Sequence, residues 1–166
     1  DIPKNIQSGR TRFRPPFSLR SRPYASTPEP HAGQLRTVAR LIGSARRPLI
    51  FAGGGVIRAG ASEALTRLAR RFRIPVTSSL MGLGAFPGDD PLFLGMLGMH
   101  GTYAANMSTG ACDLLLAAGV RFDDRVTGKT DAFASQATIV HIDIDPTSIR
   151  KNVPVRVPLV GDCRES

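Results

Sequence analysis

Residues 113–128 read "DLLLAAGVRFDDRVTG", and this stretch decides how the rest of the chain is interpreted. The run 114–118 is apolar at every position, which is typical of a strand in a parallel sheet that is buried on both faces. Four charged side chains follow it within residues 121–125. Charges directly after such a strand indicate either a solvated turn or a ligand site, because open α/β sheets bind ligands at the carboxyl ends of their strands.

Composition favours one globular domain. The chain has 166 residues, of which 42% are hydrophobic and 21% charged, and this balance is typical of a folded protein. No apolar run approaches the roughly 20 residues of a membrane-spanning helix, and the first residues lack a secretory signal core. The two cysteines, Cys112 and Cys163, have no metal-binding spacing. We therefore expect a reduced, cytoplasmic protein without a membrane partner, in which both thiols have packing roles.

The net charge of +9 raises the possibility of nucleic-acid binding. Much of the charge, however, lies in residues 1–24, where six basic residues outweigh one acidic residue in a proline-rich segment without periodicity. Only 6% of the residues are aromatic and none is Trp, so the chain has no platform for stacking bases. We expect no nucleic-acid partner, and residues 1–32 are interpreted as a linker, or extended arm, that packs on another part of a protein.

Helix and strand patterns alternate from residue 33 onward. We predict helices over 34–44, 62–72 and 102–111, and strands over 49–52, 74–79, 113–119, 137–145 and 157–162. Ser62 is a candidate N-cap, with Glu63 in the first turn of its helix. The alternation predicts a doubly wound α/β domain over 33–166 with a mostly parallel, six-stranded, Rossmann-like sheet, of which these patterns locate five strands.

Ligand-like chemistry follows the predicted strands. The strand ends carry Gly53, Gly54 and Gly55, then Ser79, then residues 119–125, then Asp143 and Asp145, and finally Asp162. Carboxylates can accept hydrogen bonds from ribose or ribityl hydroxyls, an arginine can bind phosphate, and glycine lets a ligand approach the backbone. We expect these ends to converge on one cleft for a dinucleotide. A plain strand-to-helix turn remains the alternative for the glycines, and an ion pair with Asp123 or Asp124 the alternative for Arg121.

Two nucleotide motifs are incomplete. The G-x-G-x-x-G fingerprint aligned on Gly53 has Arg58 in place of its third glycine, and the second strand ends in serines rather than in an acidic residue. The sequence "TGKT" at 127–130 resembles the end of a P-loop, but Asp123 occupies the position of the first glycine. Neither a nicotinamide fingerprint nor a P-loop is predicted.

Metal and acid–base chemistry are also disfavoured. His31, His100 and His141 lack metal-binding spacing, so we predict no metal site, and His141 is interpreted as a packed core residue. Adjacent carboxylates in an extended chain point apart, which argues against Asp123 and Asp124 as a catalytic pair.

Four segments resemble a known family. They are "FAGGGVIRAGAS" (51–62), "SLMGLGAFPGDDPLFLGMLGMHGTYAANM" (79–107), "AGVRFDDRVTGK" (118–129) and "IVHIDIDPTSIRKNV" (139–153). Together they resemble the acetolactate (acetohydroxyacid) synthase catalytic subunits, and the resemblance extends over about residues 34–163. It implies the middle domain of a three-domain enzyme. The opening "DIPKNIQ" (1–7) resembles the end of the family's preceding thiamine-diphosphate domain, so residues 1–32 would be the linker from that domain.

The resemblance implies an enzyme that condenses two pyruvates, or pyruvate and 2-ketobutyrate, with loss of CO₂ in branched-chain amino-acid biosynthesis. Thiamine diphosphate and Mg²⁺ would bind to the flanking domains, which also supply the catalytic glutamate, so no catalytic residue is expected here and the chain alone would be inactive. Homo-oligomers and a regulatory subunit are implied for the full enzyme. The alternative is a nucleotide-cleft assembly module of a related thiamine-diphosphate carboligase or decarboxylase.

The middle domain of the family binds FAD, which takes no net redox part in the main reaction. The positions that match its FAD contacts are Gly54, Ser79, Leu80, Leu97, Gly98, Met99, His100, Gly119, Val120, Arg121, Phe122, Asp123, Asp143, Ile144, Asp162 and Cys163. An arginine of the linker would add a contact, and Arg20 and Arg22 both remain candidates. Met99, Asp124 and Arg125 match positions beside the substrate channel.

Overall fold

The computed structural model describes residues 4–10, 12 and 29–166. In chain order its helices are α1 (Lys4–Gln7), α2 (Ala32–Ser44), α3 (Gly54–Arg58), α4 (Ser62–Phe72), α5 (Tyr103–Ala111) and α6 (Asp124–Thr127), with a 3₁₀ turn at Leu80–Gly82. Its strands are β1 (Pro48–Ala52), β2 (Val76–Ser78), β3 (Phe93–Met96), β4 (Leu114–Ala118), β5 (Thr138–Asp143) and β6 (Val157–Val160).

The six strands form one sheet in the order β3-β2-β1-β4-β5-β6, and each neighbouring pair is parallel. The chain moves outward from β1 to β3 and then crosses back to place β4 on the other side of β1. This is the strand order of the Rossmann fold, in which ligands bind where the direction of winding changes. The predicted doubly wound, six-stranded fold is confirmed, and the switch lies between β1 and β4.

The sheet separates two hydrophobic cores. Ile50 and Ala52 of β1 face one core, whereas Leu49 and Phe51 face the other. Helices α2, α3 and α4 pack on the first core, and α5 packs on the second. Successive strand residues point to opposite faces and both faces are covered. For this reason the central strands are apolar at every position, as residues 114–118 indicated.

Helix boundaries agree with the sequence patterns, with one correction. Ser62 is the first helical residue of α4 rather than its cap, and Ala61 occupies the cap position. The Ser62 carbonyl instead accepts a hydrogen bond from the Thr66 hydroxyl. Glu63 lies in the first turn, as predicted. Helix α2 starts two residues earlier than its pattern predicted. His31 is its N-cap, and the His31 imidazole accepts a hydrogen bond from the Gly33 N–H.

Five short elements had no sequence prediction: α1, α3, the 3₁₀ turn, β3 and α6. β3 supplies the sixth strand at the edge of the sheet, where its residues are only partly buried. Its register with β2 shifts between Val76 and Ser78, and Gly95 within it has a φ of +88°. An irregular edge strand of this kind lacks the alternating or uniform apolar pattern that identifies regular strands.

The interpretation of residues 1–32 as an arm falls mostly outside the described residues, including both Arg20 and Arg22. Within the described part, residues 4–7 form one helical turn. Among the described helices, none has both the length and the apolar character that crossing a membrane would require.

Candidate functional site

The carboxyl-terminal ends of the strands meet at one edge of the sheet, linked by backbone hydrogen bonds. The Leu97 N–H donates to Ser78, the Ser79 N–H to Ala52, and the Gly53 N–H to Ala118, each at 2.9–3.0 Å. Further along, the N–H of Gly119 donates to Ile142, and that of Gly161 to Asp143. The strand ends that carry Gly54, Ser79, Arg121 and Asp143 therefore lie along one edge of the sheet, with Leu97 and Asp162 beside them. That they form one cleft for a dinucleotide stays a prediction.

Residues 53–55, the glycine turn, link β1 to α3. A Cβ on Gly53 would collide with the carbonyl of Gly119, and one on Gly55 would lie 2.5 Å from the Cα of Gly119. The Gly53, Gly55 and Val56 N–H groups already donate to Ala118, Gly119 and Gly53. These glycines thus serve the close approach of protein backbone, which favours the strand-to-helix alternative over a phosphate cradle. Gly54 packs similarly, since its Cβ would lie 3.1 Å from that of Met81.

Residues 119–123, the β4 turn, differ from the glycine turn in carrying side chains with chemistry. Gly119 has a φ of +60° and Phe122 a φ of +53°, a left-handed conformation that is uncommon for a bulky residue. The Phe122 ring is 3% exposed and packs on Phe133 and His141 with centroids 5.8 and 4.9 Å away. Val120 is also buried. The turn therefore anchors two apolar side chains beside the charged ones.

Arg121 and Asp123 lie on the outside of the β4 turn. The guanidinium donates to the Asp123 carboxylate at 3.1 Å, and the two side chains are 73% and 51% exposed. The sequence analysis gave an ion pair with Asp123 or Asp124 as the alternative to a ligand contact for Arg121, and the structure shows the pair with Asp123. An exposed pair is worth only about 0–1 kcal/mol, so Arg121 can exchange this partner for a ligand anion at small cost.

Apolar side chains stand exposed beside the strand ends. Leu80 is 67% and Met99 66% exposed, and Ile144 is 42% exposed. Leu97 and Gly98 are buried beneath them, and the Met99 N–H donates to the Arg125 carbonyl at 2.9 Å. His100 is exposed, whereas Ser79 is half-buried. The edge thus offers apolar surface next to charges, which suits a large ligand with an aromatic ring and an anionic tail.

Two carboxylates end β5 and β6. Asp143 is buried, and one of its oxygens accepts from the Asp145 N–H at 2.9 Å. Asp162 is half-buried and accepts from the Arg164 N–H at 2.7 Å. Each carboxylate therefore shapes its own turn with one oxygen. Beside them, burial raises the pKa of the Cys163 thiol to about 12, so this side chain acts as a neutral packing group.

Sequence reasoning missed several residues beneath this edge. The Ser78 hydroxyl is buried without a hydrogen-bond partner among the described residues. Asn152 donates from its amide to the carbonyls of Arg121 and Phe122. His141 is fully buried, as predicted, and its Nε2 also lies 2.7 Å from the Val120 carbonyl. No periodic pattern marks Asn152, because its contacts are 30 residues away in the chain.

Cavities occur elsewhere on the molecule. One of about 340 Å³ lies at the amino-terminal ends of β1 and β2, lined by Arg46, Arg47 and Arg73 among others. Another of about 220 Å³ lies between α5 and residues 126–134. The edge described above is instead an open surface, and we favour it because the chemistry and the topological switch both lie there. Within the described residues, no three His, Cys, Asp or Glu side chains could together hold a metal ion.

The chain matches one known family over the whole sheet. Residues 35–166 match the family described as "Thiamine pyrophosphate enzyme, central domain". The chain belongs to this family. Since the match extends over all six strands, the Rossmann-like sheet is this family's central domain, and the resemblance read from the four sequence segments is confirmed at the level of the family.

Individual relatives are similar over nearly the whole chain. A probable acetolactate synthase large subunit of Methanocaldococcus jannaschii is 49% identical over 99% of this chain and 28% of its own length. The acetolactate synthase large subunit of Haemophilus influenzae is 47% identical over 99% of this chain and 29% of its length. The acetolactate synthase of Mycobacterium avium is 49% identical over 99% of this chain and 26% of its length. The chain thus spans less than a third of the relatives that it matches.

Proposed function

We propose that this chain is the FAD-binding central domain of an acetolactate synthase large subunit. The observation that carries the proposal is the identity of 47–49% over 99% of the chain to proteins of that name. The whole enzyme would condense two pyruvates, or pyruvate and 2-ketobutyrate, with release of CO₂. Thiamine diphosphate and Mg²⁺ would bind to flanking domains of the same longer chain, and a cytoplasmic homo-oligomer with a regulatory subunit would be the working form.

The residues at the carboxyl-terminal edge fit a flavin dinucleotide. Arg121 offers an exposed guanidinium for a phosphate, and Asp143 and Asp162 each keep one oxygen outside their turn hydrogen bond that suits a ribityl or ribose hydroxyl. Leu80 and Met99 offer apolar surface for a ring. FAD, when bound, would take no net redox part in the main reaction, so these residues would bind and orient it rather than move electrons.

The remaining proposed contacts divide by burial. Ser79, His100 and Ile144 line the same edge, whereas Leu97, Gly98, Val120 and Phe122 support it from below. Gly55 and Gly119 bring the two turns of the switch point together, and Gly54 packs on Met81 beside them. Asp123 would release Arg121 on binding, and Cys163 would pack beside Asp162. None of these groups is proposed as a catalytic residue.

Flavin titration tests the binding proposal. Adding FAD to the purified chain should raise its melting temperature and leave flavin absorbance on the protein after gel filtration. ADP, which lacks the flavin ring, serves as the matched control. If neither ligand changes the melting temperature, this domain alone does not retain FAD, and the same titration of the longer polypeptide with its flanking domains decides the flavin assignment. If FAD and ADP raise the melting temperature equally, the edge binds the nucleotide part without contacting the flavin ring, which supports the assembly-module alternative.

The proposal also predicts that this chain alone forms no acetolactate. Its 166 residues contain no Asn-Asn segment after a Gly-Asp pair, the motif that binds thiamine diphosphate and metal in this family. A colorimetric acetolactate assay with pyruvate, thiamine diphosphate, Mg²⁺ and FAD tests this. Activity that copurifies with the chain and survives removal of host enzyme would contradict the assignment as a central domain.

A further inference from the structure

We infer that His141 and Asn152 are positioning residues that fix the backbone of the β4 turn, so that the Arg121 side chain is presented at the sheet edge for a ligand. The identity of the ligand that Arg121 meets rests on the proposed function, but the geometry of the turn does not. The inference concerns three consecutive carbonyls, those of Val120, Arg121 and Phe122, which accept hydrogen bonds from these two side chains.

The β4 turn needs such support. A left-handed conformation at a non-glycine residue such as Phe122 costs about 1–2 kcal/mol and persists only when its surroundings enforce it. Among the described residues, no backbone N–H donates to the carbonyls of Val120, Arg121 or Phe122. The carbonyls are therefore held by side chains alone, unlike those of the glycine turn.

His141 holds the first carbonyl. Its Nε2 lies 2.7 Å from the Val120 oxygen, and because a carbonyl can only accept, Nε2 carries the proton. Burial lowers the pKa of His141, which keeps the ring neutral and leaves Nδ1 as an acceptor without a partner among the described residues. The imidazole also packs edge-on against Phe122, with centroids 4.9 Å apart and planes at 77°. One side chain thus fixes both the start of the turn and the ring that follows.

Asn152 holds the next two carbonyls. Its amide nitrogen donates at 3.1 Å to Arg121 and at 3.0 Å to Phe122, and its two hydrogens match two acceptors. The segment that carries it is itself anchored, because Val153 and Val155 are buried in the same core as Phe122. The Arg150 guanidinium closes this segment by donating to the Val155 carbonyl at 3.1 Å.

The consequence is that the backbone of residues 120–122 is fixed while the Arg121 guanidinium is exposed. The Arg121 side chain is 73% exposed, yet its own carbonyl and both neighbouring carbonyls are bonded to β5 and to the segment after it. A ligand that pairs with Arg121 then needs to order only the side chain and not the turn, which lowers the entropic cost of binding.

Asn152→Asp tests the inference, because it keeps the shape of the side chain and replaces the donating amide by an oxygen that repels both carbonyls. We expect hydrogen–deuterium exchange in residues 120–126 of the flavin-free protein to accelerate at least about tenfold, since a turn that loses its hydrogen bonds opens more often. FAD affinity should fall about tenfold, and far-UV circular dichroism should remain native. Lys151→Ala, at the neighbouring position, is the matched control and should change neither rate nor affinity.

Unchanged exchange in Asn152→Asp would overturn the positioning role, and faster exchange with unchanged FAD affinity would show that the turn is held for a reason other than flavin. If Asn152→Asp does not fold, the pair His141→Gln and His141→Phe provides the same test. Gln keeps an N–H donor near the position of Nε2 and should protect the turn, whereas Phe should not. If the wild-type protein binds no FAD even with its flanking domains, the proposed function fails while the exchange comparison still decides the role of Asn152.

Discussion

The two turns at the switch point are both glycine-bearing and lie side by side, but they are held in different ways. In the glycine turn, backbone N–H groups donate to backbone carbonyls and the missing side chains allow Gly53 and Gly55 to touch Gly119. In the β4 turn, side chains hold the carbonyls of Val120, Arg121 and Phe122, and a charged group projects outward. The comparison teaches that the glycines at the end of β1 serve close packing of backbone, whereas the exposed charged side chains lie on the turn with fewer glycines.

The largest expected effect is on the glycine turn. Gly53→Ala would place a methyl group against the Gly119 carbonyl and should lower the free energy of unfolding by roughly 2–4 kcal/mol, as overpacking against backbone does. Urea unfolding measures this. Gly110→Ala is the control, because its Cβ meets nothing within 4 Å and alanine favours the helix by up to about 1 kcal/mol. Equal stability of Gly53→Ala and wild type would show that the glycine turn can shift to accommodate a methyl group, which would contradict the close packing described here.

A smaller effect concerns pH and the support of the β4 turn. Burial lowers the pKa of His141, although the Val120 carbonyl and the Asp143 carboxylate, 3.8 Å away, oppose part of this shift. The unfolded chain therefore binds more protons below the ordinary histidine pKa of about 6.5. Stability should be full above that pH and fall as the pH drops through the lowered pKa of the folded state.

His141→Gln isolates this contribution, because glutamine cannot titrate and keeps a donor. Urea unfolding at pH 7 and pH 5 should show a smaller loss of stability in the variant than in the wild type. The lowered pKa values of Asp90, Asp113 and Asp145 act in a more acidic window and are common to both proteins. An equal loss in both proteins would mean that His141 does not stay neutral.

The smallest expected effect on stability is at Arg121. Its ion pair with Asp123 is exposed on both sides, so Arg121→Ala should change the free energy of unfolding of the flavin-free protein by no more than about 0.5 kcal/mol. Thermal and urea unfolding check this. A loss above about 2 kcal/mol would make Arg121 a structural residue of the β4 turn and would remove the distinction between the two turns.

Much of this could be predicted from the sequence, for a physical reason. Central strands of a parallel sheet face two cores, so β1 and β4 appear as uniform apolar runs and β5 as a mainly apolar run that His141 interrupts. The edge strand β3 escaped prediction because it is half-buried and contains Gly95 in a positive-φ conformation. Short elements such as α3 depend on packing that has no local pattern.

The candidate site likewise has features that the sequence predicts and features that it does not. Arg121 and Asp143 were predicted to meet at one edge because parallel strands end together. The role of the glycines in residues 53–55 could not be predicted. Whether Gly53 faces a ligand or the backbone of Gly119 depends on a contact between distant segments. Asn152 was missed for the same reason, because its two acceptors lie in another loop. Contacts between loops are set by the assembled sheet, and the local sequence does not record them.

The most direct test of the central claim is an FAD titration of Arg121→Ala beside Arg58→Ala and the wild type. Arg58 ends the short helix after the glycine turn and is exposed, so it offers the same charge on the other turn. Arg121→Ala should weaken FAD binding by about 1.5–3 kcal/mol, or about ten- to a hundredfold, while Arg58→Ala leaves it unchanged. Unchanged affinity in Arg121→Ala, or an equal loss in Arg58→Ala, would contradict the assignment of the ligand chemistry to the β4 turn.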